Sequence, residues 1–467
     1  MYYAGIDIGT SKVKFVVYHN DLLLKEYEKK QSVIHNEEGD LINAKKIIEN
    51  VYSLFKEAFS DYPEIAGVSI TSFGESFVCL DENDEPLFDI PLFIDKSGID
   101  ELDFIKNKID KRKLYQITGC PLEAMYSLPK ILSLKHKYKD SFLKTKKILL
   151  IEDYVIYKLT GQRYIDYGLA CRTMLFDIHK LEWSEEILNL FNIDKVWLSK
   201  CVAIGNIAGD ILSPLKSKLG IIKNVKIING SHDQIAVAIG SQLTEDNFAL
   251  GLGTCECLIV PIDLNNEDEL LKARLPIVPF NKELFITYGL INHAGSLIDY
   301  FVNLFNVDLK NYEFNLPLSE DYIITNFDGE NSQKIQINTD FTRKNSDYMD
   351  LLLESLSYEL KAKIDYFRSI GLNFKSILVS GGSSVNSSYL KLISSVCEVD
   401  IIQGERANVG LIGNAIIAGK SLGYFKDYND GFNRLNKSKA LFTPDKFSFD
   451  RYQKYINMKK AVQQYEL

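Results

Sequence analysis

A short glycine-containing segment, Gly5-Ile6-Asp7-Ile8-Gly9-Thr10-Ser11-Lys12, lies between two apolar runs. This alternation predicts a strand, a tight turn and a second strand. Gly9 lets the backbone come close to a ligand, and the hydroxyls of Thr10 and Ser11 can hydrogen-bond an oxyanion. The segment therefore indicates a phosphate-binding hairpin, although an ordinary β-hairpin with a polar turn shows the same pattern.

Two charged residues accompany the predicted turn. Lys14 adds a positive charge that would attract phosphate groups. Asp7 is placed to hold a hydrated metal ion beside those phosphates, because hard divalent cations prefer oxygen ligands. Asp7 is therefore the candidate metal ligand of the chain.

The composition is that of a soluble globular enzyme. Its 467 residues imply two domains of roughly 200 residues each. A net charge of -9 argues against a nucleic-acid partner, because no basic field exists to neutralise phosphates along a duplex. Seven cysteines at irregular spacing suit a reducing compartment. No leader and no bilayer-spanning apolar run is visible, so we expect a cytoplasmic protein without a membrane partner.

The order of elements after the hairpin predicts an α/β fold. A third strand is expected at residues 22–27, and Asn43 is expected to cap a helix with an apolar stripe. A buried strand at residues 66–70 follows. Antiparallel strands followed by a helix and a parallel strand are typical of α/β domains rather than all-β domains.

Two acidic residues that follow apolar runs are candidates for binding hydroxyl groups. Gly74 and Glu75 leave the predicted strand at its carboxyl end, where open α/β sheets place ligand contacts. Asp95 follows another apolar run at residues 91–94. For both acids, a solvated loop charge is the alternative interpretation.

A second junction of strand and helix lies at residues 225–240. Between the β-branched strand and the small-residue helix stand Ser231, His232, Asp233 and Gln234. A helix N-terminus favours a carboxylate, so a capping role alone would account for Asp233. Such a role does not explain the neighbouring His232 and Gln234, and we predict Asp233 as the functional acid.

The pattern of strand, Gly-Thr turn and strand returns at residues 248–260, where Gly253 and Thr254 form the turn. This second hairpin echoes the first in form, which suggests an internally duplicated architecture with a boundary near residue 245. The cleft between two such domains would be the natural ligand site.

Later glycine-rich segments favour nucleotide binding. A predicted strand ends in Gly381-Gly382-Ser383-Ser384, where paired glycines would let a flat ring or a phosphate lie against the backbone. A plain turn is the alternative. A small-residue helix opens at Gly410 and includes Asn414.

Two other regions carry weaker patterns. Residues 263–347 are polar and irregular. Trp183 and Trp197 lie in what we interpret as a helical insertion, where they are expected to act as packing anchors.

Taken in order, these segments resemble the FGGY carbohydrate kinases, a branch of the actin, hexokinase and heat-shock-chaperone superfamily. The segments that carry the resemblance are Asp7-Ile8-Gly9-Thr10, Ser231-His232-Asp233-Gln234, Leu252-Gly253-Thr254, Gly381-Gly382-Ser383-Ser384 and Gly410-Leu411-Ile412-Gly413-Asn414-Ala415. The resemblance covers nearly the whole chain. It implies an α/β fold of two ribonuclease H-like (actin-like ATPase) domains, which close over ATP and a sugar in a central cleft.

The resemblance also implies roles for domains and residues. Residues 1–245 would form the sugar-binding N-terminal domain with the first phosphate loop, and residues 246–467 the nucleotide-binding C-terminal domain. ATP would be bound by Asp7, Gly9, Thr10, Ser11, Lys14, Gly253, Thr254, Gly381, Gly382, Ser383, Gly410 and Asn414. The sugar pocket would contain Gly74, Glu75, Asp95, Asp233 and Gln234, with Asp233 as the catalytic base. Mg²⁺ would lie at Asp7, and a homodimer is expected by family analogy.

The implied activity is that of an ATP-dependent carbohydrate kinase acting on a small sugar, ketose, sugar acid or polyol, with a xylulose-like acceptor as the first expectation. The pocket departs from known patterns. Phe93 stands where many members carry Trp, and Phe73 and Gly74-Glu75 replace the Gln and Met-His of xylulose kinases. Glycerol kinases carry an Arg before the Glu, and this chain lacks an Arg there.

These departures leave two alternatives to an active kinase. One is a catalytically impaired, nucleotide-binding regulator or scaffold of the same fold. The other is an actin-like or chaperone-like ATPase, which would leave Glu75 and Asp95 without a polyol to bind.

Overall fold

The computed structural model describes residues 1–36, 39–244, 246–253, 255–314, 321–325, 335–338, 344–406, 408–446 and 449–465. Contacts divide the chain into two compact units. The first contains Met1–Gly240, Ile262–Thr287 and Gly410–Leu435, and the second contains Ser241–Pro261, Tyr288–Val409 and Asn436–Leu467. The division into a sugar-binding domain of residues 1–245 and a nucleotide-binding domain of residues 246–467 stays a prediction.

The strands are β1 (Tyr2–Ile8), β2 (Lys12–His19), β3 (Leu22–Lys30), β4 (Val33–Asn36), β5 (Gly39–Ile42), β6 (Gly67–Ser72), β7 (Phe77–Leu80), β8 (Ile90–Pro91), β9 (Lys147–Leu150), β10 (Tyr164–Asp166), β11 (Phe176–Asp177), β12 (Glu182–Trp183), β13 (Lys200–Val202), β14 (Ile207–Asp210), β15 (Lys226–His232), β16 (Asn247–Leu252), β17 (Glu256–Ile262), β18 (Val278–Pro279), β19 (Phe285–Ile291), β20 (Tyr322–Thr325), β21 (Ile335–Asn338), β22 (Ser376–Ser380), β23 (Asp400–Gly404) and β24 (Ser438–Phe442).

The α-helices are α1 (Ala44–Asp61), α2 (Leu102–Lys108), α3 (Lys111–Thr118), α4 (Ser127–Lys137), α5 (Lys139–Phe142), α6 (Ile151–Thr160), α7 (Tyr167–Cys171), α8 (Glu185–Phe191), α9 (Ser213–Leu219), α10 (Asp233–Gly240), α11 (Glu267–Lys272), α12 (Ala294–Phe305), α13 (Asn345–Ser369), α14 (Ser387–Cys397), α15 (Val409–Ser421), α16 (Tyr428–Leu435) and α17 (Phe449–Tyr465). Short 3₁₀ helices cover Ile99–Glu101, Lys195–Trp197, Leu264–Asn266, Leu309–Asn311 and Gly382–Val385. Among the described helices, none combines the length and the apolar character needed to cross a membrane.

The first unit is built on a six-stranded sheet in the order β14-β15-β6-β1-β2-β3. Strand β1 pairs antiparallel with β2 and parallel with β6, and β6 pairs parallel with β15. Because β1, β6 and β15 run in the same direction, their carboxyl ends meet at one edge of the sheet. Each of these ends leads into one of the segments predicted to be functional.

Helix α1 covers this sheet, as its apolar stripe predicts. The Asn43 side chain caps the helix by accepting a hydrogen bond from the Lys46 amide at 3.2 Å. Phe55, buried on the inner face of the helix, packs edge-on against Phe15 of β2 with ring centroids 5.4 Å apart. Burial of such side chains is the main favourable term that holds the helix in place.

The second unit has a sheet that contains β17, β16, β22, β23 and β24 in that order. Strand β16 pairs antiparallel with β17 and parallel with β22. The predicted second hairpin is therefore present, and its first strand has a parallel neighbour, as β1 has in the first unit. The pairing fits the predicted duplication.

Two minor predictions were wrong. The described part of residues 263–347 is not irregular, since it contains β19 and the amphipathic helix α12. Polar flanking residues concealed these short apolar elements. Trp183 lies in the strand β12 rather than in a helix, although its indole N–H donates to the Ser199 carbonyl at 2.7 Å and its ring is buried.

Candidate active site

The turn between β1 and β2 is tight and internally braced. The Gly9 amide donates to the Lys12 carbonyl at 2.9 Å, and a Cβ on Gly9 would lie 3.0 Å from that same oxygen. Gln31, the residue that follows β3, also stabilises the turn, because its side chain donates a hydrogen bond to the Gly9 carbonyl at 2.6 Å. Thr10 and Ser11 occupy the tip, where Ser11 is exposed and Thr10 is partly exposed. The predicted hairpin is therefore confirmed as a local structure.

Asp7 is oriented by a chain of hydrogen bonds from elsewhere in the first unit. Thr71 Oγ1 donates to Asp7 Oδ1 at 3.1 Å, and Asn414 Nδ2 donates to Thr71 Oγ1 at 3.0 Å. Desolvation and then the nearby Asp233 carboxylate raise the pKa of Asp7 to about 6, against the opposing effects of Lys14 and Thr71. Asp7 and Asp233 therefore repel each other when both are ionised.

Asp233 is the first residue of α10, directly after β15 ends at His232. Its Oδ1 lies 3.3 Å from His232 Nε2. Desolvation and then the Glu75 carboxylate raise the pKa of Asp233 to about 7, while hydrogen bonds from Gln234 and the charge of Arg172 lower it. A carboxylate with a pKa near neutrality is suited to accept a proton at physiological pH.

His232 and Gly74 lie against each other next to Asp233. A Cβ on Gly74 would lie 2.9 Å from His232 Cδ2, so only glycine fits without displacement of the imidazole. Desolvation lowers the pKa of His232 to about 4, with smaller opposing effects from Glu75 and Arg172. The imidazole is therefore neutral at physiological pH.

Glu75 is held in place by a buried ion pair that the sequence did not reveal. It has a φ of 62°, and its backbone carbonyl accepts a hydrogen bond from Ser127 Oγ at 2.7 Å. Arg172 Nε donates to Glu75 Oε1 at 2.5 Å, and Arg172 Nη2 contacts the same oxygen. The guanidinium also lies 4.9 Å from the centre of the Tyr126 ring. Arg172 is thus the cationic partner of Glu75, and the sequence alone had indicated no residue for this position.

One signal could have identified Arg172. It is the only charged residue between Asp166 and Asp177, in a run that is otherwise apolar or small. A charge in such a run is rarely buried unless it has a partner. The sequence does not name that partner, because Glu75 lies 97 residues away along the chain.

Lys130 lies near two of the predicted sugar-pocket acids, Glu75 and Asp95. It is fully buried, and its Nζ donates to the carbonyls of Leu92 and Met125 at 2.6 and 2.8 Å. Desolvation lowers the pKa of Lys130 to about 8, although Glu75 and Asp95 act in the opposite direction. The two carboxylates therefore share an electrostatic neighbour.

Asp95 is buried, and both of its oxygens accept backbone hydrogen bonds. Oδ2 accepts from the Asp40 amide at 3.0 Å, and Oδ1 accepts from the Ser97 amide at 2.8 Å. Asp95 borders a polar depression of about 470 Å³ that neither Glu75 nor Asp233 lines. The observed contacts tie the loop that carries Asp95 to β5, and the predicted contact of Asp95 with a sugar stays a prediction.

In the second unit, the structure brings together the two glycine segments predicted for the nucleotide. Gly381 has a φ of 95°, and a Cβ there would lie 2.5 Å from the Leu252 carbonyl oxygen. Leu252 immediately precedes Gly253, so the two segments meet where β16 and β22 end. Ser383 is buried in the 3₁₀ turn that follows, and no atom of the described residues lies within 4 Å of a Cβ on Gly382. Thr254 lies outside the described residues.

The helix α15 belongs to the first unit, and its small residues allow close approach. A Cβ on Gly413 would lie 1.8 Å from the Ala236 carbonyl of α10, whereas Gly410 has more room. Asn414 is fully buried, and its Nδ2 also donates to the Ile6 carbonyl at 2.7 Å. The predicted roles of Gly410 and Asn414 at the nucleotide stay predictions, while the observed contacts link Asn414 to β1.

Glu256 is a buried acid two residues beyond the second turn. Its Oε1 accepts a hydrogen bond from Tyr389 Oη at 3.0 Å, and its Oε2 has no hydrogen-bond partner among the described residues. Burial raises the pKa of Glu256 to about 7, against the effect of Tyr389. Glu256 is therefore largely protonated in the folded protein below neutral pH.

Glu256→Gln should stabilise the protein at alkaline pH. The pKa of Glu256 is raised on folding from 4.5 to about 7. Its favourable contribution is therefore complete below about pH 4.5 and is lost as the pH rises through about 7. We expect the variant to gain about 3 kcal/mol of unfolding free energy at pH 8 and less than about 1 kcal/mol at pH 5. Denaturant titrations at both pH values measure this, with the exposed Glu26→Gln as control; equal gains at both pH values would contradict it.

The residues around Asp7 fit a magnesium ion. The Asp233 carboxylate raises the pKa of Asp7, and the Glu75 carboxylate raises the pKa of Asp233. A divalent cation bound nearby would offset this repulsion between carboxylates. Among the described residues there is no cluster of three or more His, Cys, Asp or Glu side chains able to hold a metal ion. Mg²⁺ suits such a site, because it is commonly bound by one or two carboxylates together with phosphate oxygens and water.

Comparison with known proteins identifies the family. The profile of the N-terminal domain of the FGGY family of carbohydrate kinases matches residues 2–240, which is more than half of the chain. The chain belongs to the FGGY family of carbohydrate kinases. A xylulose kinase of Staphylococcus xylosus is 23% identical over 483 residues, covering 99% of each chain. A gluconokinase of Bacillus subtilis is 27% identical over 305 residues, covering 64% of this chain and 58% of the relative.

The family also has the same fold in solved structures. The ligand-bound xylulose kinase from Lactobacillus acidophilus superposes with a TM-score of 0.87 at 20% identity, covering 99% of this chain and 98% of that structure. The predicted α/β, actin-like ATPase fold is therefore confirmed. Like its family, the protein is an ATP-dependent carbohydrate kinase, a phosphotransferase with an alcohol group as acceptor. None of the comparisons favours the alternative of an impaired regulator or scaffold.

Proposed function

We propose that the protein transfers the γ-phosphate of ATP to a hydroxyl group of a small sugar, ketose, sugar acid or polyol, with Asp233 as the general base. The observation that carries this proposal is the meeting of Asp7, Glu75 and Asp233 at the carboxyl ends of three parallel strands. The xylulose kinase relatives support a ketose as the first acceptor to test.

In this proposal Asp233 orients the acceptor hydroxyl and accepts its proton as the bond to phosphorus forms. Its raised pKa, caused by desolvation and by Glu75, suits that task at neutral pH. Glu75 and Gln234 bind other hydroxyls of the acceptor. Phosphoryl transfer requires an oriented nucleophile more than covalent help, so positioning by these side chains is the main contribution of the first unit.

The phosphates of ATP would be bound by the first turn, with Gly9, Thr10, Ser11 and Lys14, and by the second turn at Gly253 and Thr254. Mg²⁺ would be held at Asp7 and would neutralise charge on the phosphoryl group. The hydrogen bond from Thr71 would hold the Asp7 carboxylate in place for that role. The segment Gly381 to Ser383 would accommodate the adenosine beside Gly382, where the described residues leave open space next to the backbone.

A coupled assay of ADP release tests the proposed function. Purified protein with ATP and Mg²⁺ would be offered pentuloses, hexuloses, aldonates, glycerol and deoxy sugars. One class of acceptor should raise ADP release well above the rate without acceptor, and omission of Mg²⁺ should abolish it. Tight ATP binding without turnover on any acceptor would refute the proposal.

The pH dependence of kcat/KM should have an acidic limb at about pH 7. The pKa of Asp233 in the free enzyme is raised to about 7, and only the ionised form can accept the proton. Below that pH, kcat/KM should fall about tenfold per pH unit. Steady-state kinetics from pH 5.5 to 8.5 measure this, with circular dichroism to show that the fold is kept. A kcat/KM that stays constant from pH 5.5 to 7.5 would show that Asp233 is not the general base.

A homodimer in the cytoplasm completes the proposal, by analogy with family members alone. Light scattering coupled to gel filtration measures the oligomeric state. A mass close to that of a single 53.2 kDa chain would refute the dimer.

A further inference from the structure

The ion pair between Glu75 and Arg172 places two guanidinium nitrogens against one carboxylate oxygen. Arg172 Nε and Nη2 both contact Glu75 Oε1. Since a carboxylate accepts hydrogen bonds through both oxygens, Oε2 can accept a hydrogen bond from a hydroxyl group that comes near it.

Arg172 is itself fixed from several directions, which fixes Glu75 in turn. It follows α7, whose N-cap residue Asp166 accepts hydrogen bonds from two backbone amides and from Ser231 Oγ at 2.6 Å. Ser231 lies two residues before Asp233. The guanidinium lies over the ring of Tyr126. The elements that carry Arg172, Glu75 and Asp233 therefore share one hydrogen-bonded framework.

The cationic side chains beside Glu75 are engaged by protein groups. Arg172 is paired with Glu75, and Lys130 Nζ donates to two backbone carbonyls. His232 is neutral at physiological pH, because desolvation lowers its pKa to about 4. An acceptor that approaches Glu75 and Asp233 therefore meets carboxylate oxygens, which attract hydroxyl protons and repel a carboxylate.

We propose that Arg172 is a positioning residue that determines specificity: through its pairing with Glu75 it holds a carboxylate toward the hydroxyl groups of the substrate and makes the site select neutral sugars and polyols over aldonates. This inference rests on the proposed function. Arg172 acts through Glu75, whose second oxygen contacts the acceptor. The negative charges of Glu75 and Asp233 provide the selection against an anionic acceptor.

The first arm of the test compares acceptors on the wild-type protein. We expect kcat/KM for gluconate to be at least about 100-fold below that for the best neutral pentulose, hexulose or polyol, because a like charge at such a site is strongly unfavourable. A kcat/KM for gluconate equal to that for the best neutral acceptor overturns the inference. If no acceptor at all drives ADP release, the proposed function fails instead.

The second arm uses two variants. Glu75→Gln leaves the charge of Arg172 uncompensated, so the ratio of kcat/KM for gluconate to that for the neutral acceptor should rise about 10- to 100-fold. Arg172→Lys keeps the charge but loses the planar fork, so KM for the neutral acceptor should rise more than kcat falls, with the neutral preference kept. The wild-type comparison and Arg172→Lys keep the inference falsifiable if Glu75→Gln does not fold.

Glu354→Gln provides the matched control. Glu354 is buried in the second unit and pairs with Arg451, whose Nε and Nη2 donate to it at 2.8 and 2.6 Å. This variant removes an equivalent buried charge without touching the group around Asp233. An acceptor ratio that stays unchanged in Glu75→Gln, or that shifts equally in Glu354→Gln, overturns the inference.

Discussion

Asp233→Asn is expected to lower kcat by about 10²- to 10⁴-fold, the usual contribution of a general base. The amide has nearly the same shape as the carboxylate but cannot accept the proton of the acceptor hydroxyl. Binding of ATP should be unchanged. The variant should also be slightly more stable near pH 8, because the repulsion of Asp233 by Asp7 and Glu75 is removed. The coupled assay, nucleotide titration and thermal unfolding measure the three effects.

Asp110→Asn is the matched control for this variant. Asp110 also stands at the start of a helix, where it accepts hydrogen bonds from the amides of Arg112 and Lys113 at 2.9 and 3.1 Å. It shares the helix-terminal position of Asp233 but none of its neighbours. If both variants kept full kcat, Asp233 would have only the structural role of an acid at a helix N-terminus.

Arg172→Met is expected to lower the free energy of unfolding by about 3–5 kcal/mol, because it leaves Glu75 buried without its partner. The side chains of Arg172 and Glu75 are only 5% and 4% exposed. The double variant Arg172→Met/Glu75→Met should recover most of the loss, since an apolar pair of similar volume replaces a buried ion pair at little cost. Urea unfolding at pH 7.5, followed by circular dichroism, measures both variants.

A salt bridge on the surface should behave differently. Lys195 and Glu185 form an exposed pair at 2.7 Å. Lys195→Met should change the free energy of unfolding by less than about 1 kcal/mol, because solvent screens exposed pairs. A loss in Arg172→Met no larger than that in Lys195→Met would show that the buried pair contributes no more to stability than an exposed one.

Local patterns predicted the parts of the fold that depend on neighbouring residues. Both hairpins, the helix capped by Asn43 and the strand that ends before Asp233 follow from periodicity and turn chemistry. The short elements within residues 263–347 did not, because their apolar runs are brief and their polar neighbours dominate any window of the sequence.

The candidate site was predicted less completely, because its charges are partnered across long separations. Asp7, Glu75 and Asp233 follow strands, and parallel strands bring such ends together. Arg172 and Asn414 could not be assigned in this way. Their partners, Glu75 and Thr71, lie far away along the chain and are identified only by the tertiary fold. The hydrogen bond that Asp95 accepts from the Asp40 amide of β5 likewise joins residues far apart along the chain.

The return of Gly410–Leu435 to the first unit has a consequence for biosynthesis. The ribosome completes residue 240 roughly 200 residues before it completes residue 435, and the first unit lacks α15 and α16 until then. At about 5–20 residues per second, this delay lasts roughly 10–40 s. During that time the carbonyl of Ile6 and the hydroxyl of Thr71 lack the hydrogen bonds that the side-chain amide of Asn414 donates to them in the folded protein. The nascent chain therefore exposes an unfinished surface that chaperones can recognise until the last part of the unit emerges.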